Sequence, residues 1–275
     1  MKRLQFQKFI FYAVLLLMTT VYIGPFIYQF FISISQSKDV FGDPVKLLQP
    51  PNWTFQNYAN VWVDLPFKQW LFNSLFITLV QTIMNVFFSA LAGFVFARLT
   101  FPGRKFLFGL LISSLTVPVI ILLVPKFIFM NNLRLVNTYA GLILPNLITI
   151  TNIFLMKQFF ETIPKDLEEA ALIDGCSYFR IFWQIFLPVS TPALAAVAIY
   201  TFQGSWNEFL WPVTLAITSD KFTLPVGVGF LKNQFQSDWP LLMAGTLLIT
   251  LPTLCIFLVF QRYFVQGVAA SGGKE

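Results

Sequence analysis

Glu169-Ala170-Ala171, Asp174-Gly175, Ile185 and Leu187-Pro188 lie in a polar stretch, Pro164 to Pro192, wedged between long apolar runs. Residues of these types at this spacing suit either docking to a partner or an amphipathic hairpin on a membrane surface with no partner, rather than bond chemistry. Ala170 and Ala171 let another backbone approach closely, Glu169 offers a charge to a partner, and Gly175 permits a turn that a side chain would strain. Bond chemistry has little to work with. The chain has no His, and its two cysteines, Cys176 and Cys255, suit neither a zinc site nor a disulfide framework and read as small packing residues. A phosphate-binding loop is missing too, because Gly272-Gly273-Lys274 is followed by Glu275 and not by a hydroxyl residue.

Two short helices must position those residues. Pro164 suits the first turn of one, Asp166, Glu168 and Glu169 complement its N-terminal dipole, and Gly175 sits where a left-handed C-terminal cap belongs. Ser177 then caps a second helix, whose Phe179, Phe182, Ile185 and Phe186 recur at helical spacing until Pro188 stops it. The product is a helix-turn-helix on a membrane surface. Its motif residues resemble the EAA signature of ABC-importer permeases. The resemblance implies that residues 164–188 form a cytoplasmic coupling segment, which docks in a groove of a separate ATPase subunit. Cys176 stands where the resemblance leads one to expect Ala, a change of similar volume.

Composition sets the class independently. Apolar residues make up 57% of the 275 and charged ones 11%, a balance suited to a bilayer rather than to water. The net charge of +6 is too dispersed for a nucleic-acid surface. Six spans are expected: Phe9 to Ile32, Leu71 to Ala97, Phe106 to Val124, Tyr139 to Met156, Ala193 to Leu215 and Leu241 to Phe264. The first follows Lys2, Arg3 and Lys8 but is too long for a signal-peptide core, so it reads as a retained anchor. With both termini cytoplasmic, eleven of the eighteen Lys and Arg fall inside, among them the cluster Arg98, Arg104 and Lys105. The outer stretch from Ser33 to Trp70 carries Pro44, Pro50, Pro51 and Pro66, which argue against a long regular element. Pro118, Pro125 and Pro145 predict breaks in or beside the third and fourth spans. Such breaks suit a moving bundle and also occur in static ones.

In the second span Ser74, Thr78, Thr82, Asn85 and Ser89 share a face that should avoid lipid, with Gln81 beside them and Gly93 a turn further on. That face either lines a path for an uncharged polar solute or packs helices together through small and polar residues; Asn146, Thr149 and Asn152 pose the same choice. Acidic residues are absent from the central parts of the spans, where ion-driven carriers often place ionisable groups, so energy is expected from another subunit.

Ser205-Trp206-Asn207-Glu208-Phe209-Leu210-Trp211-Pro212, Leu224-Pro225-Val226-Gly227 and Tyr263-Phe264-Val265-Gln266-Gly267 narrow the resemblance to the maltose-type carbohydrate-uptake branch. On physics alone Trp206 and Trp211 are interfacial anchors or sugar stackers, and Glu208 is a paired structural charge or a ligand contact. Candidate path residues are thus Thr78, Thr82, Asn85, Trp206, Asn207 and Glu208. The fold expected is an all-α membrane protein, a single permease domain over 1–275 with its core in 71–264. The resemblance implies half of a pathway for a neutral sugar or oligosaccharide. It also implies a second, homologous permease, an ATPase dimer that binds ATP and Mg, and an extracytoplasmic solute-binding protein. No cofactor, metal or nucleic acid is expected on this chain. An amino-acid or polyamine permease is the nearest alternative, and an ion-coupled carrier a more distant one.

Overall fold

A computed structural model describes residues 2–36, 49–234 and 238–272. These are helical almost throughout, with one isolated antiparallel bridge between Ser35 and Trp53. The all-α expectation holds. Pro44 and the last three residues lie outside the described set, as do the side chains of Tyr263 to Gly267.

Two compact units are distinguished, residues 1–67 with 227–251 and residues 68–226 with 252–275. In the first, α1 (Lys2–Ser33) runs through Pro25 and stays exposed along nearly all its length. Its foot is pinned by α2 (Gln56–Val63), where Asn57 Nδ2 donates to the carbonyls of Ser33 and Ser35 at 2.9 Å each, and Tyr58 shares a 2.8 Å hydrogen bond with Ser33 Oγ. The Asn57 amide thereby satisfies carbonyls that the end of α1 leaves open.

The second unit is built on α3 (Phe67–Arg98), 32 residues and so about 48 Å long, enough to cross a bilayer core of about 30 Å. Helices α4 (Arg104–Ser113) and α5 (Leu123–Asn132) follow, joined by two 3-10 turns across Pro118. Next come α6 (Tyr139–Ile143), α7 (Ile150–Thr162), α8 (Asp166–Ile173), α9 (Tyr178–Ile181), α10 (Leu187–Val189), α11 (Thr191–Trp206) and α12 (Leu210–Leu215). Helices α13 (Leu224–Gln234) and α14 (Trp239–Gly272) divide between the two units.

Among the described residues, Gln5–Ser33 and Phe67–Arg98 are long and apolar enough to cross a membrane unbroken. Three further candidates are bent pairs: Arg104–Thr116 with Val119–Asn132 at 93°, Tyr139–Asn146 with Ile150–Thr162 at 42°, and Tyr178–Val189 with Thr191–Trp206 at 79°. Prolines explain the first two bends. Pro118 holds Val117 extended at φ −81°, ψ 117°, and Pro145 opens a 3-10 turn after α6. Pro125 does not break anything, because it falls in the first turn of α5, where a missing N–H costs no helical bond. The third apolar segment therefore runs on to Asn132 instead of ending at Val124. Pro188 does not stop its helix either. A π turn at Phe182–Phe186 passes the Leu187 N–H back to the Phe182 carbonyl, and the chain stays helical to Val189.

The polar face of α3 points inward: Ser74, Thr78, Gln81, Asn85 and Ser89 are all buried. Gly93 continues this face, and a β-carbon there would lie 2.7 Å from Met156 Cβ and 2.9 Å from Lys157 N. Backbone of α3 thus meets α7 directly. Below that crossing Ala90, Phe94, Met156, Phe160, Ile163, Ala171, Ile181, Phe182, Phe186 and Val197 form a buried core.

Candidate functional site

The stretch 166–189 folds as a helical hairpin with two unlike faces. Asp166, Glu168 and Glu169 occupy the first turn of α8. Its C-terminus closes on Gly175 at φ +77°: the Gly175 N–H reaches the Leu172 carbonyl at 3.0 Å and the Cys176 N–H reaches the Ala171 carbonyl at 2.9 Å. This is the double-bonded left-handed cap that glycine favours. Ser177 Oγ accepts from the Arg180 N–H at 3.3 Å and starts α9.

One face is fixed to the bundle. Phe186 packs edge-on to Phe94 with ring centroids 4.9 Å apart and to Phe160 at 5.5 Å, while Phe182 lies 5.3 Å from Phe94. Ala171 is buried with them, and Ile185 and Leu187 are half-buried against the same core. The other face is open: Glu169, Ala170, Asp174 and Pro188 are exposed, and Ile173 is 86% exposed. The two motif alanines thus divide, Ala171 inward and Ala170 outward. Phe179 departs from the buried stripe that its spacing suggests and is 68% exposed.

Arg98, from the last turn of α3, sits where the hairpin meets the bundle. Its Nη2 donates to the carbonyls of Phe160 and Ile163 at the end of α7, and its Nη1 lies 3.6 Å from Glu168 Oε2. The guanidinium also stands 5.0 Å over the Phe186 ring. In the sequence Arg98 belongs to a topology-setting basic cluster and Glu168 to the acidic start of a helix. A separation of 70 positions in the chain hides the pair.

The candidate path residues fall into two groups. Thr78, Asn85 and Trp206 are at most 1% exposed. Ser205 Oγ donates to Gln81 Oε1 at 2.5 Å and shares a 3.3 Å hydrogen bond with Thr78 Oγ1, Asn85 Nδ2 donates to Thr149 Oγ1 at 2.8 Å, and Asn152 Nδ2 donates to Asn85 Oδ1 at 2.6 Å and to Thr201 Oγ1 at 2.8 Å. These bonds tie α3, α7 and α11 together, and Trp206 stacks on Phe202 at 5.7 Å. Thr82 is half-buried, and its hydroxyl finds no partner among the described residues. Asn207 is exposed and Glu208 half-buried in the break between α11 and α12, where Glu208 Oε1 accepts from the Trp211 N–H at 3.1 Å.

Beside that break lies a cation the span boundaries had left out. Lys126 of α5 donates to Asn146 Oδ1 at 2.8 Å and stands 4.2 Å over the Trp211 ring, with the Glu208 carboxylate as its electrostatic partner. It comes into the third apolar segment because Pro125 does not end that segment. At the far end of α3, Asn73 Nδ2 donates to the carbonyls of Asp220 and Phe222, and Ser74 Oγ accepts from the Leu224 N–H at 2.7 Å. The loop before α13 is thereby anchored. Its hydrogen bond to Lys221 holds the Asp220 carboxyl below its ordinary range, and the same bond raises the Lys221 ammonium.

Among the described residues no group of three or more His, Cys, Asp or Glu is placed to hold a metal. Residues 86–270 match the family described as "Binding-protein-dependent transport system inner membrane component". The chain is 36% identical over 229 residues to the arabinooligosaccharides transport system permease protein AraQ of Halalkalibacterium halodurans, covering 83% of this chain and 82% of that one. It is 34% identical over 262 residues to the diacetylchitobiose uptake system permease protein NgcG of Streptomyces coelicolor, covering 94% and 86%. A solved bacterial ABC transporter involved in the import of the acidic polysaccharide alginate contains a chain of the same fold, with a TM-score of 0.80 at 23% identity over 94% of this chain and 97% of that one.

Proposed function

The chain belongs to the inner-membrane components of binding-protein-dependent transport systems, a permease subunit of an ABC importer and not itself an enzyme, and from that premise we propose how it works and what it carries. It crosses the membrane six times as one permease domain, with both termini in the cytoplasm, and lines half of a pathway whose other half is a second, homologous permease. Two copies of an ATPase hold ATP and Mg, and a solute-binding protein delivers cargo from outside. The observation that carries this reading is the two-faced hairpin: Glu169, Ala170, Asp174 and Ile173 are open to a partner while Ala171, Phe182 and Phe186 are buried in the bundle. Closing of the ATPase dimer on ATP drags the hairpin. The bundle follows, and its bends at Pro118, Pro145 and Ser190 offer places where helices re-pack between inward and outward openings.

The cargo is a neutral sugar or short oligosaccharide. The named cargoes of the two curated relatives support this, and so do the amide groups of Asn207 and Asn146 at the helix breaks and the hydroxyl of Thr82 within α3. Thr78, Asn85 and Trp206 serve the path from behind, by holding its walls. Lys126 is already matched by Asn146, Trp211 and Glu208, so a charged cargo would compete with those contacts. In uptake assays with the assembled importer, neutral carbohydrates are expected to compete at matched concentrations, whereas amino acids, polyamines and inorganic anions are not. High-affinity, ATP-dependent uptake of a charged solute that no carbohydrate inhibits overturns the cargo and leaves the permease standing.

Orientation has its own test. On a background without Cys176 and Cys255, Lys105→Cys and Lys165→Cys, both at exposed positions, are expected to resist an impermeant maleimide added outside and to react once the membrane is opened. Ile217→Cys should react from outside. Labelling of Lys105→Cys in sealed cells would reverse the topology.

A further inference from the structure

We propose that Arg98 is a positioning residue for energy coupling: its guanidinium locks the hairpin to the ends of α3 and α7, so that displacement of α8 reaches the bundle as rigid motion. The proposal rests on the coupling role argued above and names the group that makes the coupling stiff. The Arg98 side chain is 4% exposed and that of Glu168 12%. One planar cation there meets four separate pieces of structure. It extends from α3, donates to the carbonyls of Phe160 and Ile163 at the end of α7, faces the acid in the first turn of α8, and covers the Phe186 ring in the π turn. Among the described residues the Arg98–Glu168 pair is the ion pair that joins hairpin and bundle; the others, Lys157–Glu161 and Lys221–Asp220, each lie within one segment.

Aromatic packing alone would bury the hairpin without fixing its angle, since ring contacts at 4.9 to 5.5 Å slide at small cost. Directed donors at fixed angles do not slide. A buried ion pair adds little net stability, and its best-attested use is to select one geometry over near alternatives. Only Arg presents several donors in a rigid fork; Lys, a point charge, cannot hold two carbonyls and a carboxylate from one plane. Glu168 and Glu169 then divide the labour of adjacent positions, Glu168 turned toward the clamp and Glu169 toward the partner.

The test compares Arg98→Gln, Arg98→Lys and Glu168→Gln in the full complex with its ATPase and binding protein. Spin labels at exposed Lys165→Cys on the hairpin and Ile83→Cys on α3, without the native cysteines, report the hairpin's attitude to the bundle. With Arg98 present, that distance distribution should be the same in the nucleotide-free and ATP-vanadate states. With Arg98→Gln it should broaden and shift on trapping, while the ATPase still co-purifies and uptake per ATP hydrolysed falls about fivefold or more. Arg98→Lys should fail alongside it, although charge is kept, and Glu168→Gln should show a smaller loss with the same broadening. An unchanged distribution in Glu168→Gln and Arg98→Gln overturns the clamp, as does full rescue by Arg98→Lys. Should Arg98→Gln not fold, the Glu168→Gln distribution decides. If the unaltered chain does not retain the ATPase at all, the coupling reading itself falls and takes the clamp with it.

Discussion

Gly175→Val is expected to cut uptake by the assembled importer about tenfold, whereas Gly175→Asn should keep most of it. The difference comes from the backbone. A β-carbon at position 175 would meet nothing within 4 Å, so room for a side chain is not the constraint that the turn imposes on this chain. The constraint is φ of +77°, a left-handed conformation that costs an ordinary residue about 1–2 kcal/mol, and a β-branched one no less. Asn visits this region readily and would preserve both cap bonds, from Gly175 N–H to Leu172 and from Cys176 N–H to Ala171. Loss of the cap tilts Ser177 and α9 away from α8 and misaligns the open face. About 1.4 kcal/mol corresponds to tenfold in the population of the docking-competent hairpin. Uptake and ATPase retention measured on both variants check this, and equal activity of Val and Asn would place the constraint elsewhere.

The hairpin was legible because its signals are local. Gly175 and Ser177 act on neighbours within a few residues, and acids at 166, 168 and 169 need only the helix that they begin. The inward face of α3 was legible for a related reason, since Ser74, Thr78, Gln81, Asn85 and Ser89 repeat at helical spacing and hydrocarbon would leave their hydrogen bonds unmade. Other features depended on what was absent from the local pattern. Pro188 ends a helix only if the preceding turn keeps its normal spacing, and the π turn at Phe182–Phe186 does not. Lys126 was hidden by the proline before it, which tolerates a helical first turn as easily as it ends a run. Trp206 looked like an anchor or a stacking platform because sequence gives amphipathic rings no direction; Phe202, one turn away, takes its face. Arg98 and Glu168 meet only because α7 returns the chain to the foot of α3, a consequence of packing that no window of residues contains.

That return of α7 is where a single methyl-sized change should do most damage to stability. Gly93 lies on the α3–α7 seam between the Asn85–Asn152–Thr201 bonds above and the Arg98 contacts below. A β-carbon would stand 2.7 Å from Met156 Cβ and 2.9 Å from a backbone nitrogen, so neither a rotamer change nor a flexible side chain can make room. The helices must separate. Overpacking of this kind costs about 1–3 kcal/mol, and each interhelical hydrogen bond that then fails adds about 0.6 kcal/mol. Both sets of contacts are close enough to 93 for the separation to reach them. Gly93→Val should therefore lower the stability of the purified protein by about 2 kcal/mol or more, seen as a lower thermal midpoint in detergent. Gly109→Val supplies the control, because the same side chain on α4 would meet nothing within 4 Å. It should leave the midpoint in place, since valine suits a helix interior slightly better than glycine. Indistinguishable midpoints for the two variants would mean that the seam is looser than its geometry implies, and that α3 and α7 are held together by lipid or a partner subunit rather than by their own contact.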